Sequence, residues 1–525
     1  MAEDQCAAII ETQSFCLVKG KKAFSPRSIE EQSLMRRWNG WGDSTVDYPL
    51  PDNGSSLLAE LVGTGSPQPD APLAAVLATV PNSRLEEHPL VETDPLMRLH
   101  HARGQSLPDW IALRSGRIDA FPDGVAQPMN EDEIAELLRF SAQTGAQLIP
   151  YGGGTSVVGH INPLAGERPV LTINLRRMNQ LELFDKESQL ATFSAGVSGP
   201  ELEAQLRAQG FTLGHFPQSF ELSTLGGWIA TRSCGQQSLA YGRIEDLFTG
   251  GTVLTPAGKL ELPVHPASAA GPDLKQLVLG SEGRLGIITK AIMRAAPLPE
   301  NEEFHGLFFP NFEQGQRAVR QMVQANMPLS MLRLSTASET SKMLALSGHG
   351  KLIGLLEQGL KLRRVSDEKS MLIIGFTGSN NLVKAARKQA WSIAREHNGV
   401  VIGQQLGKEW YKGRFRTPYL RNTLWDQGYA LDTLETAVPW AAVSNTLAAI
   451  ERALKNHLEA KELHGLVFSH LSHFYPHGAS IYTTYMFPLS ADADETLAHW
   501  QILKTAASQA IVAQKGTISH QHGVG

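Results

Sequence analysis

From residue 122 onward, hydrophobic and polar positions fall into short apolar runs separated by amphipathic stretches. Apolar residues at three- and four-residue spacing predict a helix over 130–144, and Gln147-Leu-Ile-Pro150 reads as a strand running into glycines. A second strand at 170–174 and a helix at 200–209 extend this unit to about Pro297. After Pro297-Leu-Pro299 the alternation restarts, with a strand at 306–309 and a helix at 311–326. Further strand and helix pairs are predicted at 370–376 with 381–397 and at 465–470 with 492–514. No repeat of fixed period is visible. Before residue 116 the pattern breaks down, because Trp38-Asn-Gly-Trp-Gly-Asp43 and Gly63-Thr-Gly-Ser-Pro-Gln-Pro-Asp70 favour turns. The expected division is therefore a loosely packed arm and docking segment over 1–115, an α+β unit over 116–298 and a third unit over 299–525.

Composition narrows the class. Lys and Arg number 47 against 52 Asp and Glu, a net charge of −5, so the chain is no general polyanion binder and no nucleic-acid partner is expected. No uncharged apolar run reaches the ~18 residues of a spanning helix, and no basic start precedes an apolar stretch. A cytoplasmic protein, at most peripherally attached to a membrane, fits this pattern. The stretch 351–364 mixes Leu352, Ile353, Leu355, Leu356, Leu360 and Leu362 with Lys351, Lys361, Arg363 and Arg364, as a core-facing helix or a membrane-contacting one would. Cys6, Cys16 and Cys234 are too few for a disulfide framework. The abrupt stop at Ser519-His-Gln-His-Gly-Val-Gly525 leads us to expect further chain beyond it and a frayed end here.

Candidate chemistry begins at Ile149-Pro-Tyr-Gly-Gly-Gly-Thr-Ser-Val157. Consecutive glycines after a strand let backbone N–H groups approach a ligand, and two hydroxyls follow, which suits a pyrophosphate. Such a loop alone is more often a tight turn. Its weight comes from company: Pro217-Gln-Ser-Phe-Glu-Leu-Ser-Thr-Leu-Gly-Gly-Trp228, Ala230-Thr-Arg-Ser-Cys-Gly235 and Gly280-Ser-Glu-Gly-Arg-Leu-Gly-Ile-Ile-Thr289. In this order the four segments resemble the FAD-binding domain of the vanillyl-alcohol oxidase superfamily. The resemblance implies a two-subdomain FAD-binding domain, an α/β cap domain with an antiparallel sheet, and non-covalent FAD, since the glycine loop holds no histidine. The flavin would be held by Pro150, Tyr151, Gly152, Gly153, Gly154, Thr155 and Ser156. From the second segment it would meet Gln218, Ser219, Phe220, Glu221, Leu222, Ser223 and Thr224, and from the third Thr231, Arg232, Ser233 and Cys234. The fourth would supply Glu282, Gly283, Arg284, Leu285, Gly286, Ile287 and Ile288.

The second half narrows the resemblance. Arg414-Phe-Arg-Thr-Pro-Tyr-Leu-Arg421, Asp432-Thr-Leu-Glu-Thr-Ala-Val-Pro-Trp440, His477-Gly-Ala-Ser-Ile-Tyr482 and the final Ser519–Gly525 motif are similar to the alkyldihydroxyacetonephosphate synthases, as is Arg37-Trp-Asn-Gly-Trp-Gly42. That family exchanges the acyl group of acyl-dihydroxyacetone phosphate for a fatty alcohol, a redox-neutral ether synthesis with substrate carbon bonded at flavin N5. The resemblance implies that Arg421 binds the expelled carboxylate, that Tyr482 takes a substrate proton, and that His520 and His522 shuttle it. Without the resemblance, Arg421 reads as an ion-pair partner of a neighbour such as Asp426, and Tyr482 as a packed strand aromatic. A lipid-like substrate and a homodimer are expected.

Two departures stand out. Gln521 replaces the middle of three histidines, and Pro266-Ala-Ser-Ala-Ala270 lacks an arginine that animal synthases carry there; no peroxisomal address is visible. Histidines 464, 470, 473 and 477 raise a metal question, but with Gln521 where hydroxy-acid dehydrogenases have a glutamate, no metal is expected. The competing readings are an FAD-dependent dehydrogenase or oxidase of a 2-hydroxy acid or alcohol, and a non-catalytic flavin- or lipid-binding protein.

Overall fold

The computed structural model describes residues 36–346 and 350–525, with side chains at 346–352 left aside. The first 35 residues, including Cys6 and Cys16, lie outside the described residues. The described residues fold as α+β around four sheets. The predicted helix forms over Glu131–Thr144, capped by Asn130, whose side chain accepts the Glu133 N–H, and stopped by Gly145 in the left-handed conformation. It packs on a small sheet in which Gly124–Ala126, Val170–Asn174 and Gln147–Tyr151 run parallel. A second, antiparallel sheet runs in the order 181–185, 190–194, 287–294, 248–255 and 258–262. Its Leu254 and Ile287 share a core with Leu171 and Ile173 of the first. The glycine loop emerges where the two meet.

The third unit is built on a seven-stranded antiparallel sheet ordered 400–403, 301–309, 370–378, 331–335, 466–475, 478–488 and 429–439. The apolar strands are longer than the sequence pattern indicates, because polar residues such as Ser472 and His473 continue the ladder. Helices Phe312–Gln324 and Asn380–Glu396 cover one part of it through Val319, Met322, Val383 and Ile393. Helices Val443–Ala460 and Ala493–Ala513 cover another through Ile450, Leu454 and Leu503.

Residues 36–115 are not a loose arm. They form helices Gly54–Val62, Leu73–Leu77, Pro95–His100 and Leu107–Ser115, and Leu58, Val62, Leu99 and Trp110 are fully buried. The turn-rich composition concealed this because each helix is short and is held by tertiary packing: Val76, Leu99 and Leu113 share one small core, while Leu58 and Trp110 dock on the third unit. The last helix opens with a capping box in which Ser106 and Asp109 satisfy each other's backbone N–H groups.

Candidate flavin site and active centre

A single cavity of about 2760 Å3 runs between the glycine loop and the seven-stranded sheet. That exceeds the roughly 300–1,000 Å3 of a drug-sized site, leaving space for a dinucleotide and a long substrate together. All of residues 150–156 border it. A Cβ on Gly153 would stand 1.9 Å from the Leu222 carbonyl oxygen, and one on Gly152 would stand 2.1 Å from Thr224 Oγ1. Gly154 takes φ +67°, which favours glycine. The glycines therefore let the first and second segments close on each other as well as on a ligand. With no lysine in the loop, the charge it can offer a pyrophosphate is that of backbone N–H dipoles.

The wall continues through Gln218, Ser219, Ser223, Thr224, Thr231, Ser233, Cys234, Glu282, Gly283, Gly286 and Ile288. Seven residues expected at the flavin lie off this wall. Phe220 stacks on Phe415 at 4.8 Å, Glu221 faces Tyr419, and Leu222 turns its carbonyl to Gly153. Arg232, at φ +52°, ends its helix and donates to Leu279 O and Gln276 Oε1. Arg284 donates to Gly525 O, Leu285 is exposed, and Ile287 is core. Strand alternation takes Ile287 off the wall between Gly286 and Ile288, and turns at 220–222 and 284–285 and the helix end at Arg232 take the others, so the continuous motifs overstate the lining. The glycine cradle and the polar wall fit FAD. Gly153→Val is expected to abolish FAD retention, because the new side chain would drive Leu222 away; flavin absorbance after gel filtration measures it, and a flavin-replete variant would contradict this geometry.

Arg421 lies in the helix Thr417–Asp426, held by the Trp41 motif: Asn422 accepts from Trp41 N and donates to Trp41 O, both at 3.0 Å. A Cβ on Gly40 would stand 2.5 Å from Asn422 Oδ1, so this contact requires glycine. The Arg421 guanidinium stacks 4.4 Å from the Trp110 ring centroid and donates one bond, to Gln105 O, while Nε and Nη2 are buried without partners. Asp426, a plausible partner by sequence, pairs instead with Arg114 at 2.7 Å. Burial, partly offset by Asp432 and Asp109, pulls the Arg421 pKa down to about 10. It stays protonated at neutral pH, a pre-positioned and unsatisfied cation on the cavity wall.

The sheet register assembles the rest. Tyr482 is directly opposite both Glu435 and His470, so the three stand in one row across three strands. His470 stacks on the Tyr482 ring at 5.0 Å and is held by Glu339, itself paired with Arg333 at 2.7 Å. Burial pushes the Tyr482 phenol up to about 12. A register shift between Leu471 and Phe474 turns both Ser472 and His473 toward Glu435.

The terminal loop is anchored, contrary to expectation. Val524 and Gly525 donate backbone N–H groups to the Glu282 carboxylate at 2.9 and 3.0 Å. Gln521 donates to Glu435 Oε2 at 2.6 Å and accepts from Cys234 N at 3.1 Å, so the residue replacing a histidine serves as a bridge. His522 is on the cavity wall, and burial lowers its pKa, leaving the ring neutral at pH 7. His520 lies behind the wall, with Nε2 2.8 Å from Arg243 Nη1 and 2.6 Å from Tyr475 OH. Its assignment as a proton shuttle at the substrate is therefore replaced by one of support.

Glu435, His473 and His520 present ligand atoms within 4.8 Å of one another, a grouping that could hold a metal ion. Reasoning from Gln521 overlooked Glu435, which brings a carboxylate from another strand. A guanidinium can only donate, so Arg243 makes His520 Nε2 an acceptor and leaves the proton on Nδ1, the atom 3.3 Å from Glu435. In this arrangement the His520 Nδ1 proton faces the Glu435 carboxylate, which itself accepts hydrogen bonds from Ser472 and Gln521. Burial would raise the Glu435 pKa, but His520 and then His473 hold it well below the usual carboxylate range. Arg243, Glu339 and Glu435 were not singled out from sequence, because their partners lie many residues away.

Sequence profiles agree with this site. Residues 122–262 match the FAD binding domain, and 298–525 match the C-terminal domain of FAD linked oxidases. The alkyldihydroxyacetonephosphate synthase of Dictyostelium discoideum is 31% identical, over 97% of this chain and 90% of that protein. The chain belongs to the alkyldihydroxyacetonephosphate synthase family. The family enzyme of Caenorhabditis elegans is 29% identical over 95% of this chain and 90% of its own length. A solved alkyldihydroxyacetonephosphate synthase superposes with a TM-score of 0.82 at 28% identity, covering 93% of this chain and 94% of that one. As a member of this family of FAD-linked proteins the chain is an enzyme with FAD as cofactor. Among the described residues no helix is long and apolar enough to cross a membrane.

Proposed function

We infer that this chain is an FAD-dependent alkyldihydroxyacetonephosphate synthase-like enzyme, replacing the acyl group of acyl-dihydroxyacetone phosphate by a fatty alcohol. The observation that carries the reading is the pairing, in one cavity, of an unsatisfied buried Arg421 with apolar walls. One wall is formed by Leu58, Leu61, Leu424, Leu431, Leu466 and Phe468, another by Met331, Ile353, Leu356, Met371, Ile373 and Leu406. A hydroxy-acid dehydrogenase has no use for apolar walls of this extent. Exposed Leu355 and Leu362 beside the second wall, with Lys361 in the same helix, suit contact with a lipid surface from which long-chain substrates enter.

Held along residues 150–156 and the facing hydroxyl wall, FAD would supply the electron-rich ring chemistry that the exchange needs. Arg421 receives the carboxylate as the ester C–O bond breaks. His522, neutral at rest, accepts the proton leaving the substrate carbon, and the protonated Tyr482 hydroxyl donates a hydrogen bond beside it. His470 stacks on the Tyr482 ring from one neighbouring strand, and Glu435 stands opposite it on the other. The incoming alcohol forms the new C–O bond, its hydroxyl proton leaves with the displaced fatty acid, and His522 returns its proton to the substrate carbon, so no electrons are gained or lost overall. We further infer that the flavin is non-covalent: the glycine loop has no histidine, and burial pushes the neighbouring Cys234 thiol up to about 12, a poor nucleophile.

The test is exchange between acyl-dihydroxyacetone phosphate and a labelled fatty alcohol. Turnover under argon should match turnover in air, and acid precipitation should leave yellow FAD in the supernatant. Flavin bleaching by a hydroxy acid, with no exchange, would replace this reading by the dehydrogenase one.

A further inference from the structure

Arg414 stands at the corner between helices Gln405–Gly413 and Thr417–Asp426 and borders the same cavity as Arg421. It is 8% exposed. Three aromatic rings hold its guanidinium: Tyr411 at 4.0 Å, Phe415 at 4.7 Å and Phe216 at 4.8 Å from their centroids. Gln236 Nε2 donates to its carbonyl oxygen, which fixes the backbone at this corner. Among the described residues its guanidinium forms no hydrogen bond or ion pair, and Nη1 is enclosed without a partner. The two carboxylates in its surroundings are engaged elsewhere, Glu302 with Gln237 at 2.7 Å and Glu203 with Thr212 at 2.7 Å and Arg207 at 3.2 Å, so neither pairs with it directly. The half-buried cavity cation Arg333, by contrast, has a carboxylate of its own, Glu339.

A buried cation without a counter-charge is costly unless something else supplies one. Stacked rings offset part of that cost and keep the planar group aimed, which is preorganisation for an anion. The proposed substrate has two anionic poles: a phosphate monoester present throughout, and a carboxylate that appears as the ester bond breaks. The wall offers two unsatisfied buried guanidiniums, and Arg421 already answers to the carboxylate.

We propose that Arg414 is the phosphate anchor of the substrate, binding a phosphate monoester through the guanidinium that the aromatic rings hold in place. This rests on the synthase reading and adds a residue to it.

Holoenzyme should bind dihydroxyacetone phosphate at least about tenfold more tightly than dihydroxyacetone, measured by calorimetry. Arg414→Met should weaken dihydroxyacetone phosphate binding by about 30-fold or more, as expected when a desolvated charge pair loses one member. Palmitate binding and FAD content should not change. Arg421→Ala should do the converse, losing palmitate and keeping dihydroxyacetone phosphate. If Arg414→Met fails to fold, Arg414→Lys decides: it should weaken only the phosphorylated ligand, because the point charge survives and the fork does not. Unchanged dihydroxyacetone phosphate binding in the folded variant would overturn the anchor while leaving the synthase reading intact. Loss of FAD would assign Arg414 to the cofactor and overturn it equally. A wild-type protein indifferent to the phosphate would sink the anchor together with the substrate assignment.

Discussion

His522→Gln and Tyr482→Phe should each lower exchange turnover by about 10²–10⁴ while FAD stays bound, the usual range for losing a positioned proton-transfer group. The two residues differ in how they answer to pH. Burial lowers the His522 pKa below its ordinary value, so its basic form predominates at pH 7 and is lost only on acidification. Burial raises Tyr482 to about 12, so its phenol remains a donor across the neutral range. With His522 as acceptor, kcat/KM should be flat from about pH 7 to 9 and fall toward acid. A tyrosinate base would instead raise kcat/KM about tenfold per pH unit over that interval. Such a rise, abolished by Tyr482→Phe, would return the base role to the tyrosine.

Arg421→Ala should weaken handling of the carboxylate by about 2–5 kcal/mol, the cost of leaving a buried anion unpaired. The loss should appear in palmitate inhibition and in kcat/KM for exchange, with flavin content unchanged. Arg421→Lys should recover little, because a single ammonium cannot reproduce a planar fork stacked on Trp110. Full turnover in the alanine variant, or loss of flavin, would make Arg421 structural. The structure already removes the ion-pair alternative, since Asp426 belongs to Arg114.

The glycine-loop side of the cavity was legible in the sequence because its wall is formed by contiguous glycine and hydroxyl motifs, whose conformational demands are local. Residues 147–151 and 170–174 form strands close to where periodicity puts them. The catalytic half was legible only in part. Glu435 could be quoted within a motif, yet Tyr482 and His473 reach it through strand register and a bulge, and Gln521 through the terminal loop, which no single-chain pattern encodes. His520 and His522, two residues apart, have opposite fates because one faces Arg243 and the other the cavity. Helices in 36–115 were missed because what stabilises them is tertiary docking, seen at Trp110 and Leu58.

The row formed by His470, Tyr482 and Glu435 has a consequence for how such a centre can change over time. Side chains alternate between the two faces of a strand, so one residue inserted or deleted within 478–488 would send Tyr482 to the opposite face and shift its pairing with both neighbours. Substitutions in these strands alter one contact at a time, whereas changes of length erase the centre outright. Viable variation in length is thereby confined to the connections between strands, and divergence toward other substrates has to proceed by exchanging side chains along the cavity wall on an unchanged ladder.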